Sequence, residues 1–231
     1  MFSILTPSRN RPHRLKTFID SVYDNADNIN NVEILIYVDN DDPVLDQYKD
    51  MQGYRNIKII FDKPVSISNS WNTMAKISQG NVLIMGNDDL EYRTKHWDTL
   101  LSKELQQYTD QIYVAWMEDG INADKHCAFP IISRKWYKTL GYFAPGIFNF
   151  GYNDTWIYDI GKKINRCHYM PHIKAEHMHF SANKSVYDDT YARNRTQNRG
   201  NLYHKDKTIF EQTESQRQQD ADKLKRVIID I

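Results

Sequence analysis

Three polar residues, Asn87, Asp88 and Asp89, directly follow the apolar, strand-length run VLIMG (82–86). Adjacent carboxylates repel one another, and a divalent cation that takes oxygen ligands, such as Mn²⁺ or Mg²⁺, relieves that repulsion. The triplet therefore predicts a metal site at the end of a buried strand. An acidic turn that caps the next helix is an equally good interpretation of these residue types.

Another carboxylate, Asp39, follows the apolar run EILIYV (33–38). In open α/β sheets, ligands bind beyond the carboxyl ends of the strands, so Asp39 and the triplet are expected to face one crevice. A carboxylate at this place accepts hydrogen bonds from a ribose or a base. An Asx turn before Pro43 explains Asp39 almost as well. The chain has no Walker A and no G-x-G-x-x-G run, which argues against P-loop and typical dinucleotide sites.

Apolar spacing predicts the elements that hold these residues. Over the first 90 residues, short apolar runs alternate with runs of helical period, which is typical of a mainly parallel sheet covered by helices. The predicted class is α/β. Strands are expected at 2–6, 33–38, 56–61 and 82–86, and helices over Leu15–Val22, in the short segment 43–50 and between Ser66 and Gly80.

The second half of the chain has a different pattern. It predicts helices from Trp97 to Leu105, at 134–140 and from Asp154 to Ile164, with strands at 111–117 and 127–133. The stretch 141–154 is rich in aromatic residues, Gly and Pro, and is expected to be an irregular segment that shapes a cleft. The polar tail, 197–231, ends in a helical pattern. This tail is expected to be an appended arm, an oligomerisation element or a partly disordered segment, and its apolar residues Leu224, Val227, Ile228 and Ile231 form a stripe that suits packing onto a partner.

The composition argues against several classes of protein. Lys and Arg total 30 and so do Asp and Glu, so there is no basic excess for nucleic acid or an anionic membrane. No apolar segment approaches the roughly 20 residues that span a bilayer. Cys127 and Cys167 have no metal-ligand spacing and are expected to be free thiols. Because no basic-then-apolar leader begins the chain, a cytoplasmic protein is expected.

Several motifs together resemble the GT-A-fold glycosyltransferases, in particular the inverting group often called family 2. The resemblance covers about residues 2–190 and rests on these segments: FSILTPSRNRPHRL (2–15), VDNDDP (38–43), SNSWNTMAKISQGNVLIMGNDDLE (68–91), GYNDTW (151–156) and the late histidine pair of HIKAEHMHF (172–180). These enzymes carry a DxD motif that holds a metal against the donor diphosphate. Here Asn87 takes the first position, so an amide replaces its first carboxylate.

The resemblance implies roles for individual residues. Asp154, at the place of the family's acidic pair, would be the general base that deprotonates the acceptor; a helix N-cap is the simpler role. Metal ligands would be Asp89 with His177 or His179, although a solvent-facing pair on an edge strand is the alternative for the histidines. The region from Tyr187 to Arg195 would fold over the diphosphate, with Arg193 or Arg195 supplying positive charge. The donor nucleotide would be bound by Thr6, Pro7, Arg9, Asp39, Lys63, Asn72, Asn87 and Asp88.

The resemblance also implies a GT-A-like, Rossmann-related sheet with a C-terminal helical extension. A domain over 1–196, with a nucleotide-binding half (1–90) and an acceptor-binding half (91–196), would precede the extension at 197–231. The expected enzyme is a hexosyltransferase that uses Mn²⁺ or Mg²⁺ and a nucleoside-diphosphate sugar, with UDP favoured. Its acceptor would be a hydroxyl on a saccharide, a protein or a nucleobase, and a homo-oligomer is possible. The alternatives are a non-catalytic binding module of this fold, which Asn87 favours, and a nucleotidyltransferase, which lacks its glycine-rich loop here.

Overall fold

The computed structural model describes residues 1–51, 53, 56–195 and 202–228, and a mixed sheet of eight strands runs through this part of the chain. The strands are β1 (Phe2–Ser8), β2 (Val32–Asp39), β3 (Ile57–Asp62), β4 (Val82–Met85), β5 (Leu90–Tyr92), β6 (Val114–Glu118), β7 (Ile131–Ser133) and β8 (Cys167–His177). Their order is β3-β2-β1-β4-β7-β6-β8-β5. The β3-β2-β1-β4 part is parallel, so the carboxyl ends of these strands meet at one edge.

Helices flank this sheet and follow it at the carboxyl end of the described chain. They are α1 (Pro12–Asp24), α2 (Leu45–Lys49), α3 (Ile67–Ile77), α4 (Trp97–Leu105), α5 (Arg134–Leu140), α6 (Asn153–Lys163), α7 (Asp189–Arg195), α8 (Leu202–Gln212) and α9 (Glu214–Lys225). The arrangement confirms the predicted α/β class, with a mainly parallel sheet between helices. Within the described ranges, no helix is both long enough and apolar enough to cross a membrane.

The apolar run of β2 is continuous because helices cover both of its faces. Its alternate side chains enter two cores: Ile36 packs with Leu15 of α1, whereas Leu35 packs with Trp71 of α3. All but Trp71 of these four are fully buried, and Trp71 is 6% exposed. The Ser66 hydroxyl begins α3 by accepting a hydrogen bond from the N–H of Asn69. The strand-end residues are thus fixed by a sheet that is packed on both sides.

Two strands, β6 and β7, begin three and four residues later than the apolar spacing predicts. β6 starts at Val114 rather than at Gln111, because Gln111 has a left-handed φ of 58° that interrupts the extended chain. β7 starts at Ile131 rather than at Cys127. Pro130 has no N–H to give to a strand ladder, and the residues before it line a cavity instead.

The two C-terminal helices, α8 and α9, pack back onto the sheet domain. The buried guanidinium of Arg217 in α9 donates to Asp159 of α6 at 2.7 Å. Leu224 is fully buried, and Val227 and Ile228 pack against the same core. The apolar stripe of the tail, predicted to pack onto a partner, therefore packs against the core of its own chain as far as residue 228. Ile231 and the expected boundary at 197 lie outside the described residues.

Candidate active site

Two adjoining cavities open beyond the carboxyl ends of β1, β2 and β4. The first, of about 240 Å³, lies at the strand ends, and the second, of about 310 Å³, lies between them and the start of α6. Four residues line both cavities: Ile67, Asn87, Phe150 and His177. These four residues form the wall that the two cavities share.

The structure gathers most of the predicted site residues at these cavities. Asp154 lines the second cavity. The following predicted residues line the first: Pro7, Arg9, Asp39, Asn87, Asp88, Asp89, His177 and His179.

Three predicted donor residues do not line the first cavity. Thr6 is fully buried in β1. Lys63 is exposed, and its carbonyl accepts a hydrogen bond from the hydroxyl of Tyr37. The amide oxygen of Asn72 accepts hydrogen bonds from the N–H groups of Phe143 and Ala144, so this side chain fastens a loop. Packing therefore uses the side chains of Thr6 and Asn72, whereas that of Lys63 is exposed after β3.

Asp88 is held in a buried ion pair. One carboxylate oxygen lies 3.1 Å from Nη1 of Arg11, and the other accepts the hydroxyl of Ser8 at 2.7 Å. Burial raises the pKa of Asp88, and the Arg11 charge opposes that rise. Arg11 also donates two hydrogen bonds, of 2.9 and 2.8 Å, to Asp188. Sequence reasoning missed Arg11, although the basic run SRNRPHR at the end of β1 contains it.

Asp89 lies beside this pair and points toward His177. Its Oδ2 accepts the hydroxyl of Tyr191 at 2.7 Å, and its Oδ1 lies 3.4 Å from Nε2 of His177. Burial opposes the ionisation of Asp89, but the His177 ring and the Tyr191 hydroxyl outweigh it and hold the pKa of the carboxyl below its usual range. In the described chain, Asp89 Oδ1 and His177 Nε2 are both buried and have no hydrogen-bond partner.

Asp89 Oδ1 and His177 Nε2 face each other without a hydrogen bond, and they fit a pair of ligands to one divalent ion. Neighbouring ligands of an octahedral Mg²⁺ at 2.0–2.1 Å lie about 3 Å apart, close to the 3.4 Å between Asp89 Oδ1 and His177 Nε2. A carboxylate and an imidazole also suit Mn²⁺. No cluster of three or more His, Cys, Asp or Glu residues able to hold a metal occurs in the ranges described above. An ion held by Asp89 and His177 would therefore need further ligands besides these two side chains, such as water or a phosphate.

Asp39 is tied to the basic residues of the first cavity. Its Oδ2 accepts a 2.8 Å hydrogen bond from Arg9, and Nη1 of Arg193 lies 3.8 Å away. Burial raises the pKa of Asp39, with Arg9 opposing it. Nη1 of Arg193 is itself buried with no hydrogen-bond partner in the part of the chain described. The side chain of Arg195 lies outside the described residues.

The segment from Asp188 through α7 covers one side of the first cavity. Besides the contacts of Asp188 and Tyr191, the hydroxyl of Thr190 donates to the carbonyl of Arg9 at 2.7 Å. The ring of Tyr191 lies 4.1 Å from the guanidinium carbon of Arg11, a cation–π distance. This late segment therefore joins the first and fourth strands at their carboxyl ends.

Asp154 occupies the first turn of α6 and contacts a histidine. Its Oδ2 lies 2.7 Å from Nε2 of His126, a residue of the loop before β7 that also lines the second cavity. Tyr152, just before the helix, has a left-handed φ of 65° and gives no side-chain cap. Asp154 therefore stands in the wall of a cavity, and its hydrogen bond is made to His126.

A fully buried carboxylate holds the loop that leads to α6. Asp206 of α8 accepts hydrogen bonds from the N–H groups of Asn149, Phe150 and Gly151 at 3.2, 2.8 and 2.9 Å. These residues line one or both cavities. Three charge-assisted hydrogen bonds make α8 a structural support of the site.

The buried ion pair of Arg11 predicts a large stability effect. Arg11→Met leaves the buried carboxylate of Asp88 without its charged partner, so we expect the free energy of unfolding to fall by about 3 kcal/mol. Urea denaturation measures it. The control is Arg14→Met, which removes a partly exposed guanidinium 3.5 Å from Asp188 and should cost less than about 1 kcal/mol. Equal losses in the two variants would contradict the assigned role of Arg11.

The match of the sequence to a protein-family model agrees with the predicted GT-A-like fold. The model of glycosyl transferase family 2 matches residues 3–169, which include the strands and cavity residues from β1 to the start of β8. No curated protein matches the chain.

Solved structures share the architecture. TarS 1–349 from S. aureus, in complex with UDP-GlcNAc, has a TM-score of 0.62 at 12% identity, over 83% of this chain and 63% of that one. The mannosyltransferase PcManGT from Pyrobaculum calidifontis, in complex with GDP-Man and Mn²⁺, has a TM-score of 0.58 at 11% identity, over 76% and 56%. The likeness confirms the GT-A-like fold. The chain spans less than two thirds of the length of either protein.

Proposed function

We propose that this chain, which belongs to glycosyl transferase family 2, moves a sugar from a nucleoside-diphosphate donor to an acceptor hydroxyl with inversion at the anomeric carbon. One observation carries the proposal: Asp89 lines the first cavity, Asp154 lines the adjoining second cavity, and Asn87 and His177 line both. The donor would occupy the first cavity and the acceptor the second. The reacting carbon would then lie at the shared wall.

The nucleoside would bind at the Asp39 end of the first cavity. Arg9 fixes the Asp39 carboxylate at 2.8 Å, which leaves it oriented to accept hydrogen bonds from a ribose or a base. Tyr37 and Val65 add apolar surface for the flat face of a base. Solved relatives of the fold hold UDP-GlcNAc or GDP-Man. A UDP-sugar is the donor that we favour, with a hexose as the transferred group.

The diphosphate of the donor would lie between Asp89 and Arg193, which both line the first cavity. Asp89 Oδ1 and His177 Nε2 would hold Mn²⁺ or Mg²⁺, and such an ion offsets the charge that develops on a leaving diphosphate. His179 is the weaker candidate ligand, because its Nδ1 already contacts the hydroxyl of Ser181 at 2.7 Å. The buried Nη1 of Arg193, which has no hydrogen-bond partner in the described chain, suits a phosphate oxygen.

Asp154 would be the general base. As the acceptor oxygen forms its bond to the anomeric carbon, the bond from that carbon to the diphosphate oxygen breaks, and the acceptor proton moves to Asp154. This single displacement inverts the anomeric centre. General-base catalysis of this kind contributes about 10²- to 10⁴-fold.

The acceptor would bind in the second cavity, beside Asp154. A hydroxyl of a saccharide, a protein or a nucleobase meets the chemical requirement. Aromatic side chains in the wall of the second cavity suit stacking against a sugar ring or a base of the acceptor. They include Tyr152 and Tyr203 of α8, whose ring centroids lie 5.2 Å apart. A non-catalytic binding module would use the same cavities, and slow cleavage of the donor in the presence of metal distinguishes the enzyme from it.

The role of Asp154 predicts a selective loss of turnover. Asp154→Asn removes the proton acceptor but keeps the size of the side chain, so kcat for donor cleavage should fall by at least about 10²-fold. Donor affinity, measured by calorimetry, should stay within a few-fold. The matched control is Asp124→Asn, an exposed carboxylate that lines neither cavity. A fully active Asp154→Asn enzyme would end the assignment of the base.

The proposed metal ligands predict that thermal stabilisation by the nucleotide depends on Mn²⁺. UDP should raise the melting temperature only when Mn²⁺ is present, and Asp89→Asn and His177→Ala should each abolish that metal-dependent part. A thermal-shift panel of UDP, GDP, CDP, ADP and dTDP measures it and identifies the base. His172→Ala is the control, because His172 lies on the same strand but pairs with Glu104. Unchanged metal-dependent shifts in both ligand variants would refute the site.

A further inference from the structure

His126 and Asp154 form a pair in the wall of the second cavity. The side chains are 31% and 27% exposed, so the pair is accessible from the cavity and still partly shielded from solvent. Nε2 of His126 lies within hydrogen-bond distance of Oδ2 of Asp154, at 2.7 Å. The other oxygen, Oδ1, has only the hydroxyl of Thr155 near it, at 3.4 Å, in the described chain. One oxygen is therefore fixed by the imidazole while the other is left for an acceptor hydroxyl.

The position of the imidazole is set by its surroundings. The His126 ring packs edge-on against Tyr158 of α6, with centroids 5.8 Å apart, and the next residue, Cys127, is fully buried. The other charged groups that act on His126 are Asp119 and Lys162. Asp119 is held by N–H groups of its own loop, and Lys162 lies over the Tyr158 ring. Asp154 is thus the direct charged partner of His126.

We infer that His126 is a positioning residue for the base: it fixes Asp154 and, through its own protonation, sets how strongly Asp154 attracts the acceptor proton. The inference rests on the proposed function, because it assigns Asp154 the role of base. It goes further by making the proton affinity of that base depend on a second side chain. No other group within hydrogen-bond distance of Asp154 in the described residues titrates near neutral pH.

The charge of His126 acts on catalysis and stability in opposite directions. The hydrogen bond to Asp154 raises the pKa of His126 above its usual value near 6.5, although burial works against it. Below that raised pKa the imidazolium pairs with the carboxylate, which stabilises the fold but weakens the base. As pH rises through the pKa, the ion-pair stabilisation is lost and the base gains proton affinity. Turnover should rise over the same pH window in which His126 contributes less stability.

The pH profile of donor cleavage tests the inference. With Mn²⁺ and donor saturating at every pH, wild-type kcat should fall about tenfold on the acid side of the His126 pKa. His126→Gln keeps an N–H donor but does not titrate, so its profile should be flat there, with kcat at high pH within about fivefold of wild type. His168→Gln is the matched control, because His168 pairs with Glu104 at 2.7 Å and lines neither cavity. It should keep the wild-type profile. An unchanged acid limb in His126→Gln would overturn the inference.

A titration that needs no turnover separates this inference from the proposed function. The ring C–H resonance of His126, followed by NMR, should titrate above the usual histidine value in the wild type. Its midpoint should fall in Asp154→Asn, because the hydrogen bond and the charge that raise the pKa of His126 are weakened. A midpoint that does not respond to Asp154→Asn would overturn the pairing even in an active enzyme. Failure of the wild type to cleave any donor would instead refute the proposed function.

Discussion

The buried guanidinium of Arg11 is the contact on which the first cavity depends. It joins the end of β1 to Asp88 after β4 and to Asp188 before α7, with distances of 2.8 to 3.1 Å. Without that cation, two adjacent carboxylates at a sheet edge would repel each other in a poorly solvated place, which is costly. The triplet after β4 can therefore be acidic and buried because a basic side chain from the neighbouring strand end lies against it.

Arg11 does not neutralise all of the charge around it. The carboxylates of Asp88, Asp89 and Asp188 surround it, and Arg14, 3.5 Å from Asp188, is the second cation. Three negative charges thus face two positive ones. Asp89 Oδ1 has no hydrogen-bond partner in the described chain. A divalent ion held by Asp89 and His177 would more than offset the one excess negative charge and leave positive charge for a diphosphate.

Much of the fold was predictable because the residues that a helix or strand buries recur in the sequence at the period of that element. The continuous run of β2 and the stripes of α1 and α3 predict parallel strands under helices, and the placement of the Asn87–Asp89 triplet at a strand end follows from them. The start of α6 at Asn153 also agrees with the prediction. The spacing of apolar residues predicted the starts of β6 and β7 too early. There a local backbone property interrupts the strand, namely the positive φ of Gln111 and the missing N–H of Pro130.

The contacts that complete the site could not be predicted in this way. Arg11 and Asp88 are 77 residues apart, Asp206 and Asn149 are 57 apart, and His126 and Asp154 are 28 apart. None of these pairs leaves a periodic signal, because each depends on the packed geometry of distant loops. Asn72 illustrates the converse: it sits at a motif position, but the fold uses its amide to hold Phe143 and Ala144.

The stereochemistry of donor cleavage tests the proposed single displacement. Proton NMR can follow the anomeric signal of the sugar released from an α-linked UDP-sugar in the presence of Mn²⁺, before mutarotation mixes the anomers. Single displacement assisted by Asp154 predicts that the β-anomer appears first. Release of the α-anomer first, or no cleavage of any nucleoside-diphosphate sugar, would contradict the account.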